Sequence, residues 1–283
     1  MEKLKKRIQQ LKKKRPGYKD ILDFYQKARE KQKEIKHSLK IEPILIKKEW
    51  KDLLAKEGFP MIEKKDFPLD IEKSLTLFQS LCQIGKEANP YMAGQVKKSE
   101  EAFDKKKGDI KKLLNEGFNE KKIEKLADQF GIDKKVFSFL ILESIKPSIE
   151  AGVEKISNEL DTETWLKGFC PICGSFPSLS LLKEVVGKRY LLCSFCGYVW
   201  RIERLICPFC NNKEHESLHY FYGEGEDAYR IDLCDKCHQY IKTIDLRKIE
   251  AFDPLLEDLA TLHLDILASQ KGYKRKVPNP WIT

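Results

Sequence analysis

The chain has 283 residues, 41% of them hydrophobic and 34% charged, with a formal net charge of +9. That length serves one large domain or two to three small ones, and the balance excludes the apolar poverty of a disordered chain. No run of about 18 apolar residues occurs, which excludes a membrane helix. The Lys-rich stretch from Met1 to Pro16 lacks the apolar core of a secretory signal, so a cytoplasmic location is expected.

Residues 1–165 hold 37 Lys and Arg against 29 Asp and Glu, whereas residues 166–283 hold 16 against 15. The basic start carries Leu4, Ile8 and Leu11 at helical spacing, which reads as a helix with a solvated basic face rather than a nucleic-acid or lipid contact. A further helix is expected from Asp70 to about Gly85, with Ile71, Leu75, Phe78 and Cys82 on one side. Cys82 reads as a buried structural thiol. Asn119 caps a helix that carries Ile123, Leu126, Ala127 and Phe130 and stops at Gly131. Another runs from Asp133 through Val136, Phe137, Leu140 and Ile141 and is expected to end before Pro147. Residues 1–165 thus read as an all-helical domain of five to eight helices.

The texture changes near Trp165. Short strands are expected at Leu179–Val186, Lys188–Leu192, Tyr198–Arg204, Ser217–Tyr222, Tyr229–Leu233 and Gln239–Leu246. Asp253-Pro254 then opens one amphipathic helix to about Gln270, with Leu255, Leu259, Leu262 and Ile266 as its apolar stripe. The tail Lys274–Thr283 is expected to be extended.

Eight of the nine cysteines form four Cys-x-x-Cys pairs: Cys170/Cys173, Cys193/Cys196, Cys207/Cys210 and Cys234/Cys237. In a reducing compartment this pattern reads as metal binding rather than a disulfide framework. A Cys-x-x-Cys turn brings two sulfurs to one side and needs a positive φ just after the second cysteine. Gly174, Gly197, Asn211 and His238 stand at those positions. Pro171 and Pro208 stiffen the first and third turns, the Cys-Pro-x-Cys form of a rubredoxin-type knuckle. Cys173 and Cys193 have 19 residues between them and Cys210 and Cys234 have 23, against 10 between Cys196 and Cys207. The longer gaps fit hairpins, so two tetrathiolate sites are expected, Cys170, Cys173, Cys193 and Cys196 in one and Cys207, Cys210, Cys234 and Cys237 in the other. A cross-brace sharing of alternate pairs is the alternative. Tetrahedral sulfur coordination suits zinc and also a single iron. Thioredoxin-like pairs, and haem attachment at Cys234-Asp-Lys-Cys237-His238, fit the array of four pairs less well.

Several blocks around these cysteines resemble the FdhE family of formate dehydrogenase accessory proteins. They are Cys170-Pro-Ile-Cys-Gly-Ser-Phe-Pro177, Gly187-Lys-Arg-Tyr-Leu-Leu-Cys193-Ser-Phe-Cys196, Trp200-Arg-Ile-Glu-Arg204, Cys207-Pro-Phe-Cys210 and Cys234-Asp-Lys-Cys237. The tail adds Asp253-Pro254, Glu257-Asp-Leu-Ala-Thr-Leu262, Leu264-Asp265, Gly272-Tyr-Lys-Arg275 and Asn279-Pro280. Val199 departs from the acidic residue expected before Trp200. The resemblance implies an α+β protein: a helical domain over 1–165, rubredoxin-like modules over 166–206 and 207–247, and a C-terminal helix and tail over 248–283. It implies a cytoplasmic, non-catalytic helper in the maturation of respiratory formate dehydrogenase, holding two metal ions, zinc or iron, with the enzyme's catalytic subunit as partner. A client surface is sought where cations and aromatics interleave, at Arg189, Trp200, Arg201, Arg204 and Arg230, against the alternative that Trp200 simply packs the ribbons. A zinc-ribbon nucleic-acid binder is disfavoured by the near-neutral cysteine half, and a rubredoxin-like redox protein is the other alternative. With every ligand a thiolate, no coordination position is left for substrate, so enzyme activity is not expected.

Overall fold

The computed structural model describes residues 2–44, 57–157, 162, 164–249 and 253–282; the remaining parts of the expected helical region and tail lie outside the described residues. Within the described residues the chain divides into two units, one of residues 2–44, 62–157 and 280–282, the other of residues 57–61 and 162–279.

The first unit is helical. Its elements are α1 (Glu2–Lys14), α2 (Lys19–Lys36), α3 (Ile71–Gly85), α4 (Pro90–Asn115), α5 (Glu120–Phe130) and α6 (Lys134–Ser157). Caps begin them where the sequence places them: Asp70 accepts from the Lys73 N–H, Asn119 from the Lys122 N–H and Asp133 from the Val136 N–H. Gly131 ends α5 in the left-handed conformation. Leu4, Ile8 and Leu11 are buried along α1, and Leu75, Phe78 and Cys82 along α3, where burial pushes the Cys82 thiol far up. Trp281, from the far end of the chain, joins this core edge-on to Phe24, Tyr25 and Phe139, with centroids 5.5, 4.7 and 4.9 Å away.

One expectation fails in this unit. α6 does not end before Pro147 but runs through it to Ser157. A proline inside a helix leaves the carbonyl four residues back without its N–H donor. Here that carbonyl belongs to Glu143, and the buried side chain of Gln32 on α2 supplies the donor at 2.9 Å. The same amide nitrogen also reaches the Glu143 carboxylate at 2.7 Å.

The second unit holds six main strands, β1 (Pro177–Lys183), β2 (Lys188–Cys193), β3 (Val199–Ile202), β4 (Leu218–Tyr222), β5 (Tyr229–Cys234) and β6 (Gln239–Asp245). They form two antiparallel meanders, β1-β2-β3 and β4-β5-β6. Each meander follows the same plan: a knuckle, two strands, a second knuckle, a third strand. The first strand of one lies parallel to the last strand of the other, Leu179 opposite Lys242 to Leu182 opposite Asp245. The order is therefore β3-β2-β1-β6-β5-β4, a single sheet with both meanders in it. β1 and β6, at its centre, are buried on both faces.

Past the sheet, the expected single helix from Asp253-Pro254 to Gln270 is two: α7 (Pro254–Leu259) and α8 (Leu262–Gln270). The apolar stripe also differs. Leu256, Leu259, Leu264 and Ala268 are buried, whereas Ile266 is exposed. The break at Ala260 and Thr261 shifts the face presented by α8. It is held by Lys242 of β6, whose ammonium lies 3.0 Å from the carbonyls of Asp258 and Thr261 on either side of the break. The same ammonium pairs with Asp258 and Asp265, both at 2.7 Å. Arg275 and Asn279 complete the cluster on Asp258. The strand β7 (Lys274–Arg275), parallel to β6, places Arg275 there.

Candidate metal centres

The structure brings together the eight cysteines in the two groups expected from loop length: Cys170, Cys173, Cys193 and Cys196, and Cys207, Cys210, Cys234 and Cys237. Consecutive knuckles are paired; the cross-brace is not adopted. The turn geometry follows from the residues after each pair. Gly174 and Gly197 have φ of 71° and 73°, and Asn211 and His238 have 58° and 52°. The Gly174 N–H closes on the Cys170 carbonyl at 2.9 Å and the Asn211 N–H on that of Cys207 at 3.0 Å.

The sulfurs fit a tetrahedral ion. Cys170 and Cys196 lie 3.6 Å apart and Cys173 and Cys193 3.4 Å; in the second group Cys207 and Cys237 are separated by 3.7 Å and Cys210 and Cys234 by 3.6 Å. A tetrahedron with metal–sulfur bonds of about 2.3 Å has edges of about 3.8 Å. A disulfide needs about 2.05 Å, so these are not bonded pairs.

Electrostatics point the same way. In the first group burial pushes the Cys170 and Cys196 thiols well up, while the neighbouring sulfurs, Cys170 foremost, hold Cys173 far below the usual thiol range. In the second, burial raises Cys207 and takes Cys237 up to about 11. Burial acts on Cys234 too, but the Cys237 N–H and the Asn212 amide outweigh it and lower that thiol. Four sulfurs so close cannot all ionise unaided, and a divalent ion displaces their protons and offsets the charge. A zinc or iron ion held by these residues would make a tetrathiolate centre; the chain's own part is to hold the sulfurs in place, with the Asn212 amide donating to Cys234 Sγ.

Sequence reasoning missed two side chains that hydrogen-bond with these sulfurs. The Ser175 hydroxyl lies 3.4 Å from Cys173 Sγ and the Asn212 amide 3.6 Å from Cys234 Sγ. Both follow the first cysteine of their knuckle by five positions, and both close it through the carbonyl, Ser175 to the Cys170 N–H and Asn212 to the Cys207 N–H, each at 2.9 Å. Laying Cys170–Ser175 over Cys207–Asn212 would have shown the repeat.

The expected client patch divides. Trp200 is buried and donates its indole N–H to the Lys167 carbonyl at 2.9 Å, so it packs. Arg189 is buried as well, bonded to Ser180, the Ile206 carbonyl and Asp232, and so ties the first meander to β5. Arg189, Arg204 and Arg230 do meet, lining a cavity of about 170 Å³ beside the second cysteine group, with Leu205, Tyr220 and Asp232. Trp200 and Arg201 take no part in it.

Fold and site together define a mixed helix-and-sheet protein with two four-cysteine centres. Residues 169–204 match the model of the FdhE central domain and residues 205–282 that of the FdhE C-terminal domain. An FdhE homolog of Haemophilus ducreyi is 30% identical over 81% of this chain and 72% of its own length. The chain belongs to the FdhE family. It is also 37% identical to the FdhE homolog of Aquifex aeolicus over half of this chain and 51% of that protein, and 34% identical to FdhE of Escherichia coli K12 over 40% and 37%. It thus spans about half or less of the length of those two relatives in the matched region. The crystal structure of FdhE from Pseudomonas aeruginosa shares the fold, with a TM-score of 0.68 over 98% of this chain and 93% of that one at 22% identity. Among the described residues no helix is long and apolar enough to cross a membrane.

Proposed function

We propose that this chain is a cytoplasmic accessory protein that assists the maturation of a respiratory formate dehydrogenase and performs no chemistry of its own. Its eight paired cysteines hold two metal ions, zinc or iron, in rubredoxin-like modules over residues 166–206 and 207–247, between the helical domain (1–165) and the C-terminal helical segment and tail (248–283). The observation that carries this reading is the gathering of four sulfurs in each group, all within 4.8 Å of one another and with two contacts per group at 3.4 to 3.7 Å. A centre with four thiolates has no position left for substrate, which supports a scaffold rather than an enzyme. Family membership supports the formate dehydrogenase connection.

The catalytic subunit of that enzyme is the proposed partner, and the groove formed by Arg204, Arg230 and Tyr220 is the proposed contact. The Arg230 guanidinium stacks on the Tyr220 ring at 5.0 Å, and Tyr220, Leu205 and Arg204 are exposed beside it. Exposed aromatics and arginines are the residues that carry binding energy at protein interfaces. The test is anaerobic co-purification on a tagged chain from cells making formate dehydrogenase, with mass-spectrometric identification. The catalytic subunit is expected with the wild type, and much less of it with an Arg204→Glu, Tyr220→Ala double variant of unchanged metal content. Absence of the subunit from the wild-type eluate would end the functional reading, and equal recovery with the variant would end the choice of surface.

A further inference from the structure

The two cysteine groups offer the same ligands under different cover. In the first, Cys170, Cys173, Cys193 and Cys196 are 0, 6, 3 and 1% exposed. Its first knuckle is overlaid by residues 60 and 61: the Met61 N–H donates to the Pro171 carbonyl at 2.9 Å, and a methyl on Gly174 would meet Pro60 at 3.2 Å. In the second, Cys207 and Cys234 are buried, but Cys210 is exposed and Cys237 half-buried. Asn211, Lys213, Lys236 and His238, next to those two cysteines in sequence or nearly so, are exposed as well. A thiolate centre exchanges ligands by direct approach of an incoming group, so access to the sulfurs sets the rate.

We infer that the second centre is an exchange site, open to an external thiolate at the Cys210 position, and that the first is a permanent structural centre. This rests on the reading that both groups hold metal. In the exchange the incoming thiolate forms one metal–sulfur bond and Cys210 Sγ gives up another, leaving as a free thiolate. Four sulfurs and the same charge surround the ion before and after, and no electron moves. The ligand class is a soft sulfur anion. Oxygen ligands lack the affinity to compete with cysteine thiolates for zinc or ferrous iron.

The experiment uses the full chain loaded with zinc, its content first fixed by native mass spectrometry. Glutathione is added with a chromophoric zinc chelator, S-methylglutathione serves as the thiol-free control, and a pulse of iodoacetamide is given when half the zinc has left. Expected is biphasic release with glutathione, the first equivalent leaving about ten-fold faster than the second. The alkyl groups should map to Cys210 and Cys237 and spare the first group. S-methylglutathione should not accelerate either phase. A single release phase, equal acceleration by the control, or labels on Cys170 to Cys196 would overturn the exchange site while leaving two bound metals in place. A chain that takes up no zinc would instead remove the metal reading, and the exchange site with it. A Cys210→Ser chain that keeps one slow zinc and loses the glutathione-dependent phase supports the assignment; one that still releases two equivalents in the wild-type manner overturns it.

Discussion

His238 and Asn211 occupy left-handed backbone positions that glycine fills at the other two knuckles, with φ of 52° and 58°. The requirement for positive φ belongs to the turn, and each residue type meets it at its own cost. At Gly197 a methyl would meet nothing within 4 Å, whereas at Gly174 it would press on Pro60. Gly197→Ala should therefore cost about 1–2 kcal/mol, the conformational penalty alone. Gly174→Ala should cost more, because contact is added to conformation. Urea unfolding at fixed, saturating zinc measures both, and equal losses would refute the contribution of Pro60. At this scale the sequence was highly legible. All eight sulfurs, their pairing and the four left-handed residues follow from Cys-x-x-Cys spacing and from the residue after each pair. Ser175 and Asn212 were hidden because their signal is an offset from the first cysteine, visible only when one knuckle is laid on another.

Helices and strands show where local reading gives out. Caps at Asp70, Asn119 and Asp133 act through neighbours three residues on, so sequence alone places them. The continuation of α6 through Pro147 depends on Gln32, 111 positions from the Glu143 carbonyl that it serves, and no local pattern reveals it. Replacing Gln32 with Leu leaves the Glu143 carbonyl buried without a donor and should cost about 1–3 kcal/mol. Pro147→Ala returns a backbone N–H to that carbonyl, so Gln32→Leu should cost less in the Pro147→Ala background. A double-mutant cycle by chemical unfolding measures the coupling, and simple additivity would show that Gln32 serves Glu143 some other way. The break between α7 and α8 is set likewise by Lys242 of β6. Lys242→Met leaves Asp258 and Asp265 short of a buried partner and should cost about 3–5 kcal/mol. Asp258 is fully buried, which disfavours its charge, but Arg275 and Lys242 prevail and hold its carboxyl down at about 2. A carboxylate with a depressed folded-state pKa contributes stability that is complete above its unfolded value, about 3.9, and fades as pH falls toward 2. Asp258→Asn should flatten the loss of stability over that window. An acid-unfolding curve as steep in the variant as in the wild type would place the acid sensitivity elsewhere.

On the scale of the molecule, the main surprise is the pairing of β1 with β6. Two ribbons of about forty residues have little core apiece, and strand patterns in the sequence do not say which edges meet. Joined through Leu179–Leu182 and Lys242–Asp245, they bury a common core of Leu179, Leu181, Ile231, Tyr240 and Ile244, with Leu264 and Ala268 of α8 against it. The first cysteine centre therefore does more than close its own ribbon. Its first knuckle leads directly into β1, and β1 is the strand on which β6 leans. Cys170→Ser should thus loosen more than the meander it belongs to, with faster amide hydrogen exchange in β1 to β3 and across the parallel pair into β6. Cys237→Ser opens the exposed centre, whose second knuckle joins β5 to β6 and whose first lies between β3 and β4. Its effect should concentrate in the turns at 207–212 and 234–238 and in the edge strand β4, sparing β1 and β2. Hydrogen-exchange mass spectrometry of the two full-length variants at equal zinc distinguishes the patterns. Protection of β6 unchanged in Cys170→Ser would mean that the meanders hold their folds independently despite the shared sheet. Loss spreading from Cys170 but not from Cys237 would mean that the buried centre supports the sheet while the exposed one is free to exchange its ligands.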